Sequence, residues 1–73
     1  MKFIQVLPFE YDILDNGKMV SIELEVIYLN IDQIKFISPI GETGRTMIKL
    51  LDNAEILSIQ PLSQVLNQIK NAK

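Results

Sequence analysis

Two stretches of alternating apolar and polar side chains meet at Asp15-Asn16-Gly17-Lys18. Before it, Phe9, Tyr11 and Ile13 alternate with Glu10 and Asp12; after it, Ile22, Leu24 and Val26 alternate with Ser21, Glu23 and Glu25. A period of two is that of a strand with one covered and one wet face. Asn and Gly accept the positive φ that a tight primed turn needs. The segment therefore predicts a β-hairpin with Glu23 and Glu25 facing water. A chain of 73 residues built around such a hairpin has room for one core, so residues 1–73 read as a single small β-rich domain.

The flanking segments extend this pattern. Residues 2–7 form a short apolar strand stopped by Pro8, which has no N–H for a ladder. Past Val26 the alternation gives way to Ile27-Tyr28-Leu29, a change expected at a bulge or under a second cover. Asn30-Ile31-Asp32-Gln33 reads as a polar break of one helical turn with Ile31 tucked beneath it. A strand over residues 34–38 is expected to set Ile34 and Phe36 on one side and Lys35 and Ile37 on the other. Pro39-Ile40-Gly41-Glu42-Thr43-Gly44 marks an exposed loop. Residues 45–51 and 55–59 form two further strands about a turn at Asp52-Asn53, where Ala54 occupies the place of the usual glycine. Pro61 then suits the first turn of a helix, and Leu62, Val65, Leu66 and Ile69 supply one apolar stripe, with Lys70 and Lys73 near its negative end. The expected fold is mainly β, or small α+β: an antiparallel meander of five or six strands with one C-terminal α-helix.

The residue inventory narrows the chemistry. The chain contains no cysteine and no histidine, which removes thiol nucleophiles, imidazole bases and the usual zinc ligands. Glu10, Asp12 and Asp15 match no ion loop and read as the wet face of a strand, and Gly41 to Gly44 lacks the Lys-Ser/Thr pair of a phosphate loop. We expect a non-enzymatic protein without cofactor or metal. No apolar segment approaches the length of a membrane span and no signal peptide is visible, so a cytoplasmic location is expected.

Two kinds of binding surface remain. The formal charge of −2 and the scattered cations disfavour nucleic acid, although Lys35, Arg45 and Lys49 could form an anion or nucleic-acid contact if the strands gather them. Against this, 48% of the residues are apolar, more than one short helix can cover. Phe9, Tyr11, Val26, Ile27, Tyr28 and Leu29 are the candidate interface residues, with a homodimer as the expected assembly. The expected function is a small protein-interaction or assembly component; the alternative is a nucleic-acid-binding or transcription-regulatory module.

The stretch from Tyr28-Leu29-Asn30-Ile31-Asp32-Gln33-Ile34 through Leu50-Leu51-Asp52-Asn53-Ala54 to Val65-Leu66-Asn67-Gln68-Ile69 resembles the small FlbD-type flagellar protein family. Asn30, Ile34 and Ile37 fit its Asn and Ile-x-x-Ile step; Leu50 and Asn53 fit its second strand and turn. Ala54 departs from the family's glycine. The order of elements is also similar to the LytTR DNA-binding domains of response regulators. Both resemblances imply strands followed by a terminal helix; the second also implies DNA binding.

Overall fold

The computed structural model describes residues 2–72; Lys73, expected near the end of the helix, lies outside them. The expected mainly β fold with one C-terminal helix is present. Its strands are β1 (Phe3–Val6), β2 (Pro8–Ile13), β3 (Met19–Glu23), β4 (Ile27–Asn30), β5 (Ile34–Pro39), β6 (Thr46–Leu50) and β7 (Glu55–Ser58), followed by α1 (Leu62–Asn71). They divide into a two-stranded sheet, β1-β4, and a five-stranded antiparallel sheet in the order β3-β2-β7-β6-β5.

One long hairpin links the two sheets. Its stem pairs β1 with β4, from Phe3 opposite Asn30 to Val6 opposite Ile27. Its outer half pairs β2 with β3, from Phe9 opposite Glu23 to Ile13 opposite Met19. The hairpin changes sheet at Leu7 and at residues 24–26, so the break in strand pattern falls earlier than the expected point beyond Val26. Pro8 opens β2 instead of merely ending β1. As a first strand residue it needs no ladder N–H, and its carbonyl accepts from the Leu24 N–H at 2.9 Å.

The two hairpin turns share one design. The Leu14 N–H donates to the Lys18 carbonyl and the Gly17 N–H to the Leu14 carbonyl, both at 2.8 Å. The Leu50 N–H likewise donates to Ala54, and the Asn53 N–H to Leu50. Only the third loop residue takes positive φ: Gly17 at 81° and Asn53 at 71°. These are three-residue loops ending in a left-handed residue, not the two-residue primed turn expected at Asn16-Gly17. Asn16 and Asp52 accept from the N–H two residues on, each at 3.0 Å. At the second turn Asn53 itself takes the left-handed position, so a glycine at 54 is unnecessary.

The core lies between one face of β5, β6 and β7 and a cover made of β1, β4 and α1. Ile4, Val6, Leu29, Ile48 and Val65 are buried there, with Ile37, Leu50, Ile56 and Ile69 packed around them. A register shift between Ile34 and Phe36 corrects the expected side-chain alternation of β5. The extra residue puts both Ile34 and Ile37 against the core and leaves Phe36 exposed on the opposite face. The expected turn at Ile31 is a short 3-10 helix, Ile31–Gln33, capped by Asn30 accepting from the Asp32 N–H. Leu66 departs from the expected stripe: it is 49% exposed, whereas Val65 is buried.

Polar side chains fix the point where the hairpin changes sheet. Gln60 is buried and its Oε1 accepts from the Ser58 hydroxyl at 2.7 Å and the Leu7 N–H at 3.3 Å. Its Nε2 donates to the Gln5 carbonyl at 3.3 Å, and Gln68 from α1 accepts the Gln5 N–H at 3.0 Å. The Ile59 N–H donates to the Leu7 carbonyl. Two glutamine side chains thus take the place of a neighbouring strand along the free edge of β1.

Candidate interaction surface

Beyond Phe9 the β2-β3 hairpin leaves the body of the molecule. The β2-β7 ladder contains only Pro8 opposite Ser58 and Phe9 opposite Leu57, so among the described residues the remainder of β2 has β3 as its sole neighbouring strand. The result is an arm, and the chain measures 45 × 23 × 20 Å. Its radius of gyration is 13.0 Å, against about 11 Å for a compact chain of this length.

The arm carries apolar side chains in water. Ile13, Leu14, Met19 and Ile22 are exposed, and so are Leu24 and Val26 at its base. The alternation of Ile22, Leu24 and Val26, which predicted a strand, therefore does not predict a buried face. Tyr28 is 72% exposed on β4, with Ile27 beside it. Among the other candidate interface residues, Tyr11 is exposed, Leu29 belongs to the core, and Phe9 is buried at the foot of the arm. Met19, Ile13 and Leu14 escaped the sequence reading because turn-flanking apolar residues give no local sign of whether the body covers them.

Phe9 is enclosed by its neighbours on the open sheet face. The Tyr11 ring meets it edge-on with centroids 5.2 Å apart, as expected for residues two apart on one strand. The Arg45 guanidinium lies 4.5 Å from the Phe9 ring centroid and donates to the Ser21 hydroxyl at 3.3 Å. Arg45, the residue just before β6, thereby braces the arm against the main sheet. The base of the arm borders a groove of about 390 Å³ lined by Phe9, Leu24, Ile27 and Leu57, with Glu10 and Glu25 beside them.

The three candidate anion-binding cations have separate partners. Arg45 is engaged with Phe9 and Ser21, Lys49 forms a salt bridge of 3.1 Å with Glu55, and Lys35 donates to Asn53 at 3.4 Å. Arg45 and Lys49 share the open sheet face through strand alternation, while Lys35 sits at the β5 register shift. Glu10, Asp12 and Asp15 are exposed along the arm. Among the described residues no group of three or more acidic side chains is placed to hold a metal ion together. No helix among them is long and apolar enough to cross a membrane. Comparison with protein-family models, curated proteins and solved structures finds no match to this chain.

Proposed function

We propose that this protein is a non-catalytic interaction or assembly component and that the β2-β3 arm, with the adjoining edge of β4, is its contact surface. One observation carries the reading: apolar side chains are concentrated on a projecting hairpin, and the described residues leave Ile13, Leu14, Met19 and Ile22 exposed on it. Exposed clusters of this kind are costly in water unless a partner removes them from it. The open strand edges add unpaired backbone donors and acceptors to the same surface. The expected cytoplasmic location belongs to this reading.

Nucleic-acid binding through Lys35, Arg45 and Lys49 is the alternative reading. It has less support, because Glu55 neutralises Lys49 and acidic residues flank the aromatic side chains of the arm. Photo-crosslinking in the cells that make the protein tests the interaction reading. A photoreactive side chain at Ile13 should give a discrete protein adduct, while one at Lys70 should give none. Absence of any protein adduct from Ile13, Met19 and Tyr28 positions would overturn the reading; adducts to nucleic acid from Arg45 would favour the alternative.

A further inference from the structure

We propose that a second copy of this chain pairs with the outer edge of β3, antiparallel and about a twofold axis at Ser21, joining two five-stranded sheets into one. This rests on the interaction reading and names the partner of the arm. The outer edges of the sheets differ in their defences. The edge at β5 has a register shift beside Lys35 and ends in Pro39, features that discourage strand addition. The edge of β1 is occupied by Gln60 and Gln68. The edge of β3, Met19-Val20-Ser21-Ile22-Glu23, contains no proline, lysine or register shift, and among the described residues β2 is its sole neighbouring strand.

The register of the hairpin decides which groups that edge offers. Backbone bonds join Leu24 to Pro8 and Leu14 to Lys18, and the hydrogen-bonded positions of an antiparallel pair recur every second residue. Ile22 and Val20 therefore bond to β2, and the N–H and C=O groups of Met19, Ser21 and Glu23 point away from it. A twofold axis at Ser21 sets these three residues against the partner's Glu23, Ser21 and Met19, using every outward donor and acceptor of the strand. It also places Val20 opposite the partner's Ile22 at the closely spaced positions. Among the paired strand residues no like charges stand directly opposite one another. The outer edge of β2 beyond Phe9 is a poorer choice, because pairing about its midpoint sets Asp12 against the partner's Asp12.

The exposed area matches the size of such a contact. The chain exposes 5149 Å², whereas a compact protein of 8.3 kDa exposes about 4,600 Å². The excess approaches the ~600 Å² that each partner contributes to a small stable interface. A two-stranded arm accounts for this excess better than irregularity spread over the body, since the exposed apolar residues concentrate along it.

Sedimentation equilibrium of the full chain and of two variants tests the pairing. Ser21→Pro removes an N–H that faces away from β2, and Ile22→Lys places two cations across the axis beside apolar side chains. Each should raise the dimer dissociation constant by about tenfold or more, with strand and helix signals in circular dichroism retained. Ser21→Cys should oxidise to a covalent dimer, since paired Cα atoms at the axis lie within disulfide range. If Ser21→Pro unfolds, Ile22→Lys decides the matter. A mass of 8.3 kDa at every concentration overturns the second-copy proposal, while a crosslink from Ile13 to another protein would still uphold the interaction reading. A dimer unaffected by either folded variant overturns the β3 edge.

Discussion

Gln60 shows how much of the fold can depend on one side chain. Its amide reaches the Gln5 carbonyl, the Leu7 N–H and the Ser58 hydroxyl, while its backbone carbonyl accepts from the buried Thr46 hydroxyl at 2.8 Å. Gln60→Ala leaves several of these groups without partners, so urea denaturation should show a loss of about 2–4 kcal/mol. Gln68→Ala removes one exposed bond to Gln5 and should cost under about 1 kcal/mol. Asn53 supplies a second residue-scale test, because its φ of 71° is tolerated by Asn and Gly better than by Ala. Asn53→Ala should lower stability by about 1 kcal/mol, whereas Asn53→Gly should change it by less than about 0.5 kcal/mol. Thermal melts of the three proteins distinguish these outcomes. The sequence made the turn at Asp52-Asn53 visible, but Ala54 suggested a weakened turn. The missing information was position within the loop: Asn53, and not residue 54, bears the left-handed conformation.

At the scale of elements, legibility follows the distance over which structure is decided. The hairpin at Gly17, the 3-10 turn at Ile31 and the helix after Pro61 are specified by neighbouring residues, and all three appear where those residues indicate. The Phe36 orientation was hidden because a register shift depends on the partner strand; one extra residue at Lys35 reverses the expected faces. The insertion of β7 between β2 and β6 was hidden for the same reason, since alternation identifies strands without naming their neighbours. Helix α1 gives the sharpest element-scale test. Val65 is buried and Leu66 half-exposed, although both fit one apolar stripe. Val65→Ala should cost about 2 kcal/mol, whereas Leu66→Ser should stay within about 0.5 kcal/mol, both read from urea midpoints at unchanged slope. In the candidate surface, Tyr11, Val26, Ile27 and Tyr28 were legible as apolar residues in excess of cover. Phe9 and Leu29 carried the same signal but are used inside the chain.

For the whole molecule, the consequence is a body that protects its core on one sheet face and an arm that leaves apolar side chains and strand edges open. This division gives the elongated 45 Å shape a physical purpose in the proposed assembly: it presents a pairing edge away from the defended edges of β1 and β5. Hydrogen exchange at individual amides tests that edge most directly. Among the described residues of one chain no neighbouring strand accepts hydrogen bonds from the Met19, Ser21 and Glu23 amides, whereas Val20 and Ile22 bond to β2. On raising the protein concentration through the dimerisation range, exchange at Met19, Ser21 and Glu23 should slow by about tenfold or more, with much smaller changes at Tyr11 and Ile13. Unchanged rapid exchange at Met19, Ser21 and Glu23 across that range would contradict pairing at the β3 edge.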